Sequence, residues 1–169
     1  MEIVKLSAED WEEYKTLRLR ALKEDPQAFG TTYQKNIAYP KAEWQRRLAS
    51  VAKGETNWLL FARENNKLVG MIGAFIEEDV EGTATIFGVY VPKEERGRGI
   101  SIKLMEEILK ELSKKSIFKK VKLMVSKNQL PAIGLYKKFG FKQVGIEHFK
   151  MGDGNIAEEL VMERPLPYV

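Results

Sequence analysis

Between residues 58 and 76 the apolar residues fall into two long runs, Trp58-Leu59-Leu60-Phe61-Ala62 and Leu68-Val69-Gly70-Met71-Ile72-Gly73-Ala74-Phe75-Ile76. The polar stretch Glu64-Asn65-Asn66-Lys67 separates them, so they read as buried strands joined in an antiparallel hairpin. A third strand, Thr83 to Val91, follows the turn signal Asp79-Val80-Glu81-Gly82 and extends the meander. Upstream, residues 2 to 6 read as a short first strand. Ser7 with Asp10 three residues later has the form of a capping box, and Trp11, Tyr14, Leu17, Ala21 and Leu22 then recur at helical spacing until Asp25-Pro26, where proline blocks continuation. Pro40 opens a second helix with Trp44, Leu48 and Val51 on one face, ending near Gly54. The stretch Phe29-Gly30-Thr31-Thr32-Tyr33 between the two helices shows no periodicity and reads as irregular.

Beyond Val91 the period changes. Leu104, Met105, Ile108, Leu109 and Leu112 form a helical stripe just after Gly99, and Val121-Lys122-Leu123-Met124-Val125 is a short strand. A strand-helix-strand unit of this length makes a right-handed parallel crossover. Leu130, Ile133, Tyr136 and Phe139 mark a shorter helix that stops at Gly140. Phe141 to Lys150 and Ala157 to Glu163 then form a closing hairpin across Met151-Gly152-Asp153-Gly154-Asn155. The order is strand, helix, helix, three strands, helix, strand, helix, two strands. It predicts an α/β fold with a mixed sheet, mostly antiparallel with one parallel pair, and helices on both faces. With 169 residues and no linker or repeat, one domain over 1–169 is expected.

Composition narrows the chemistry. A 44% hydrophobic and 31% charged content is that of a packed globular domain. No apolar run reaches the roughly 20 residues needed to span a bilayer, and Met1-Glu2-Ile3-Val4-Lys5 lacks the layout of a signal peptide, so a cytoplasmic protein without a membrane partner is expected. The sequence has no cysteine and one histidine, His148, which excludes thiolate metal sites, a cysteine acyl-enzyme and a multi-histidine centre; no metal is expected. The net charge of +4 is modest, and the lysines of 114 to 122 lack the interleaved aromatics of a nucleic-acid surface. They read as a solvated helix end, with no nucleic-acid partner expected, while polyanionic small molecules remain compatible with the charge.

The candidate chemistry begins at Arg96-Gly97-Arg98-Gly99, between a strand and a helix. The first unpaired amides of that helix point back into the loop, at the positive end of the helix dipole, which makes an anion site. Glycines at 97 and 99 let the backbone approach phosphate oxygens, and Arg96 and Arg98 can add charge. A Rossmann fingerprint would need a third glycine where Ile102 stands, and a P-loop would end in Gly-Lys-Ser/Thr. Taken alone the loop implies a phosphate-bearing ligand, with an ordinary glycine turn as the competing reading.

A second constellation runs from Ser126 through Asn128, Ala132-Ile133, Leu135-Tyr136 and Gly140-Phe141. Together the two segments resemble the GNAT superfamily of N-acetyltransferases, whose coenzyme A loop reads Arg/Gln-x-x-Gly-x-Gly/Ala and whose later segment reads Asn-x-x-Ala-Ile-x-Leu-Tyr-x-x-x-Gly-Phe. The specific motifs lie between Val89 and Phe141; over the rest of the chain the likeness is one of element order. Two positions depart from the pattern: Ser101 stands where glycine or alanine is usual, and the proline after the strand comes one residue early, at Pro92.

The resemblance implies transfer of an acetyl group from acetyl-CoA to a primary amine of a small molecule, protein or peptide, by direct attack in a ternary complex. It also implies that the pyrophosphate rests on the loop Arg96, Gly97, Arg98, Gly99, Ile100, Ser101 and Ile102, and that the pantetheine arm lies along the backbone of Val89, Tyr90 and Val91. Asn128 would bond the pantetheine amides, and Tyr136 would protonate the departing thiolate. In such proteins the strand of 89 to 91 and the strand ending near Val125 splay apart, and an amide in the gap can polarise the thioester carbonyl.

No proton acceptor stands out. Relatives that place a glutamate on the strand before the asparagine have it where this chain has Leu123, and Thr83 to Val91 holds no carboxylate. Glu77, Glu78 or a water chain are the alternatives, and His148 has no partner motif and receives no role. The acceptor pocket implied by the family involves the first helices and the last hairpin, hence Phe29, Tyr33 and the 151 to 155 turn. The partners expected are acetyl-CoA and an amine acceptor, with room for a homodimer. A non-catalytic acyl-CoA-binding sensor or interaction module is the alternative, and a nucleic-acid-binding domain ranks behind both.

Overall fold

In a computed structural model, which describes residues 1–76, 80–151 and 154–168, seven strands build one sheet. They are β1 (Glu2–Val4), β2 (Asn57–Glu64), β3 (Lys67–Ile76), β4 (Thr83–Tyr90), β5 (Lys120–Ser126), β6 (Lys142–Lys150) and β7 (Ile156–Pro165), in the spatial order β1-β2-β3-β4-β5-β7-β6. Among the described residues only β4 and β5 run parallel, as the crossover required. The helices are α1 (Trp11–Glu24), α2 (Tyr33–Ile37), α3 (Lys41–Val51), α4 (Ile100–Ser113) and α5 (Leu130–Lys138). No helix among the described residues is long and apolar enough to cross a membrane.

The helices divide the core in two. The α1 and α3 residues Tyr14, Leu17, Trp44 and Leu48 pack with Leu59, Phe61, Met71 and Tyr90 of the sheet. Tyr14 meets Trp44 and Phe61 edge-on, with ring centroids 5.4 and 5.6 Å apart, the arrangement that the ring quadrupoles favour. On the other face, Leu104, Met105, Ile108, Leu109 and Leu112 of α4 are fully buried against strand residues that include Leu60, Ile72, Ala84 and Val121. At Gly70 a Cβ would come within 2.9 Å of Ile100 and 3.0 Å of Leu104, so glycine there lets the first turn of α4 seat directly on β3. That contact fixes where the start of α4 points.

Two local details differ from the sequence reading. The capping box forms, with the Asp10 carboxylate accepting from the Ser7 amide at 2.7 Å, but it closes a 3-10 turn at Ala8–Asp10 that leads into α1. The stretch read as irregular contains the start of α2, because Thr32 caps the Lys35 amide at 3.2 Å and buried Asn36 donates to Thr31 Oγ1 and Thr32 O, both at 2.8 Å. A helix of this length held by polar side chains leaves no apolar stripe to read.

Candidate active site

The site originates in a disagreement between neighbouring strands. Met71 pairs with Tyr90 and Gly73 with Phe87, so β4 uses three steps where β3 uses two, and Gly88 takes a φ of +62° in the bulge. A bulge bends and twists its strand. Parallel pairing of β4 with β5 accordingly stops at Ile86↔Leu123, whereas β5 stays paired to β7 as far as Ser126↔Glu159. Beyond Ile86 the two central strands part and leave a cleft of about 450 Å3. Val89, Tyr90 and Val91 form one wall; Asn128 and Tyr136 are on the other, with Pro131, Ala132 and Leu135.

At one end of the cleft lie Arg96, Gly97, Gly99, Ile100 and Ser101. Gly97 and Gly99 both adopt φ +78°, and a Cβ added to either would meet no atom within 4 Å. Gly99 is the N-cap of α4 and has no side chain to occupy the helix end, so the amides of residues 100 to 102 keep no acceptor within the helix. The cleft floor there is a row of donors at a positive helix end. The two arginines are already engaged. Arg96 donates from Nε to Val91 O at 3.0 Å and from Nη2 to Asp25 at 2.6 Å, tying the loop to the end of α1. Arg98 bonds Glu64 at 2.6 Å and also Glu95. Tyr90 contributes its backbone to the cleft, while its buried side chain donates to Glu24 at 2.8 Å; burial and that bond push its phenol well above the ordinary range.

At the other end stands Tyr136. Gly140 at φ +79° closes α5, with the Phe141 amide returning to Tyr136 O at 3.1 Å and the Gly140 amide to Lys137 O at 3.0 Å. Phe141 then packs edge-on against the Tyr136 ring, 6.1 Å between centroids. The Gly-Phe pair of the motif therefore holds the tyrosine ring in place. Tyr136 is 6% exposed and its hydroxyl makes no hydrogen bond among the described residues, and burial pushes its phenol well above the ordinary range. The proton stays on the oxygen at neutral pH.

Behind Tyr136 a smaller cavity of about 40 Å3 continues between the parted strands, bordered by Gly88, Val89, Ser126, Tyr136 and Glu159. Glu159 is a residue that the sequence reading passed over. Four of the sequence candidates lie outside the cleft lining: Arg98, Ile102 on the exposed side of α4, Phe29 and Tyr33. Phe29 is buried beneath the Arg18 guanidinium, 4.4 Å from the ring centroid, and Tyr33 lies under Lys23 at 4.4 Å. From the same region it is Gln27 and Ala28 that border both cavities. Glu77, Glu78 and part of the 151 to 155 turn lie outside the described residues.

The strand wedge ends at a glycine-opened helix start whose free amides suit an anionic ligand, and comparison with known proteins identifies the family. Residues 9–141 match the model of the acetyltransferase (GNAT) family, and the chain belongs to that family. Human N-acetyltransferase 8B is 33% identical over 99 residues, which are 57% of this chain; the chain spans 42% of that protein's length. An acetyltransferase of the GNAT family from Streptococcus pneumoniae superposes with a TM-score of 0.81 at 21% identity, over 98% of both chains. The PaiA N-acetyltransferase from Thermoplasma acidophilum, solved in complex with coenzyme A, superposes at 0.73 and 21% identity, again over 98% of both.

Proposed function

We propose that this chain transfers the acetyl group of acetyl-CoA to a primary amine, in one ternary complex. The observation that carries the reading is one cleft with helix-end amides that have no acceptor within the helix at one end and, at the other, buried Tyr136, whose hydroxyl keeps its proton and has no partner among the described residues. The residues suit coenzyme A: the space where Cβ atoms would sit at Gly97 and Gly99 is open, so phosphate oxygens can reach the amides of 97 to 102. The volume falls within the range of small-molecule sites. Val89, Tyr90 and Val91 offer the pantetheine arm backbone groups freed by the parting of β4 from β5, and exposed Asn128, whose side-chain amide has no partner among the described residues, offers that amide from across the cleft. That the Thermoplasma relative was solved with coenzyme A supports the cofactor, and the names of the relatives support an amine as acceptor.

Acetyl-CoA supplies the activated acyl carbon. The β4 amides in the gap are placed to polarise its carbonyl, and Tyr136 to give its proton to the leaving sulfur. With no cysteine in the chain, direct attack by the amine is the simplest route. Free thiol release from acetyl-CoA, followed over a panel of polyamines, amino acids, aminoglycosides and peptide N-termini, tests this. Turnover on at least one amine is expected; tight coenzyme A binding with no turnover on any amine would establish a non-catalytic acyl-CoA-binding module instead.

A further inference from the structure

An amine with an ordinary pKa of about 10.4 is almost wholly protonated at neutral pH, so a proton must leave before the nitrogen attacks. β4 carries no carboxylate, and position 123 on β5 is leucine. β7 supplies one. Its adjacent glutamates are divided by the two-residue period of the strand. Glu158 faces outward and is bonded to Lys127 at 2.9 Å, whereas Glu159 faces the parted strands, 8% exposed. Glu159 stands opposite Ser126 of β5 on one side and Glu147 of β6 on the other. Its carboxylate makes no hydrogen bond or ion pair among the described residues.

A buried carboxylate without a partner is costly, and a second carboxylate directly opposite across a strand pair adds to the cost. Proteins keep such groups where a ligand relieves them. Glu147 of β6 and Ser126 of β5 stand beside Glu159, and Tyr136 from α5 and Gln27 from the Pro26–Ala28 turn border the same cavity; none of these is a cation, and the Arg18 guanidinium of α1 lies behind Gly88, its Nη1 3.6 Å from where a Cβ there would be. The small cavity bordered by Glu159, Ser126, Tyr136 and Gln27, about 40 Å3, has room for an ammonium head or one water and little more.

Building on the N-acetyltransferase reading above, we propose that Glu159 is the proton acceptor of the reaction, holding the acceptor's ammonium group in the small cavity beside Tyr136. The ammonium gives one proton to the Glu159 carboxylate. The freed lone pair forms the C–N bond at the thioester carbonyl carbon, and the C–S bond breaks. Tyr136 protonates the thiolate, and the second proton lost by nitrogen restores the phenol. Glu159 returns its proton to solvent, so one proton is released for each acetyl group moved. Burial, and secondly the charge of Glu147, push the Glu159 carboxyl above its ordinary range, the direction that a base working near neutrality requires.

The test compares the wild type with Glu159→Gln, Glu159→Asp and Glu147→Gln, by thiol release with an accepted amine between pH 5.5 and 9.5 and by calorimetry with coenzyme A. Glu159→Gln should bind coenzyme A within about twofold of wild type, which also reports on folding, and should lose about 100-fold in kcat/KM at pH 7. The loss should narrow as pH rises, because solution then supplies the free amine. Glu159→Asp should keep the acidic limb of the wild-type profile at reduced rate. Glu147→Gln should move that limb to lower pH by removing the charge that raises Glu159. An active wild type whose Glu159→Gln variant keeps both rate and pH profile overturns the assignment of Glu159 and leaves the enzyme reading intact. A wild type that binds coenzyme A and acetylates no amine overturns both.

Discussion

At the Gly97–Ser101 end of the cleft the chain offers main-chain amides, and at the Glu159–Tyr136 end it offers two buried side chains from different elements. The first end needs only a strand, two left-handed glycines and a helix start in succession, so its parts are neighbours in sequence and its arginines serve mainly to fasten it. The second depends on a tyrosine of α5 and a glutamate of β7 meeting in a gap opened by a bulge in β4. An anchoring site can be built from backbone because phosphate asks only for donors and positive potential. A site that moves protons needs groups whose affinities for a proton differ from those in water, and burial of side chains is what shifts them.

Tests of this contrast should separate binding from turnover. The largest effect is expected at the side-chain end: Tyr136→Phe should lower kcat about 100-fold while the dissociation constant for coenzyme A, measured by calorimetry, stays within about twofold. A variant with full kcat at every pH would remove the proposed acid. At the backbone end the pattern should invert. Gly99→Ala places a Cβ on a residue at φ +78°, a strain of roughly 1–2 kcal/mol, and should weaken coenzyme A binding about tenfold while kcat changes little.

Thermal stability should expose the cost of Glu159. Its carboxyl has a raised proton affinity in the folded state, so its contribution to stability is present at low pH and is lost as pH rises through the raised value. Glu159→Gln, which never ionises, should therefore melt about 2 °C higher than wild type at pH 8, with the gain fading as pH falls toward the ordinary carboxylate range. A variant that melts lower at pH 8 would mean that the carboxylate is satisfied in the fold. The smallest effect is expected for Arg98→Ala: its side chain is outside the cleft lining and is held in solvent-exposed ion pairs with Glu64 and with Glu95 at the cleft edge, so the KM for acetyl-CoA should stay within about twofold. A tenfold rise would show that arginine charge, and not the amides, carries the pyrophosphate.

Much of the framework is legible along the chain. The apolar runs of β2 and β3, the stripe of α4 and the proline stops mark their elements because each depends on contacts within a few residues. The glycines at 97, 99 and 140 announce left-handed turns for the same reason. α2 escapes because Thr31, Thr32 and Asn36 hold it with hydrogen bonds that leave no apolar period. Arg96 and Arg98 read as free charges beside a phosphate loop, since Asp25 and Glu64, which occupy them, are distant in sequence.

The amino-acid sequence by itself determined the order of the strands and longer helices, the anion-binding turn and the segment that presents Tyr136, because hydrogen bonds to near neighbours and φ preferences decide these. Only the tertiary structure decided which of Glu158 and Glu159 faces the cleft. Strand side chains alternate, so one step of register exchanges the two faces. That register is set by the pairing of β7 with β5 and by the bulge between Gln143 and Gly145 in β6, contacts between segments that no local pattern encodes.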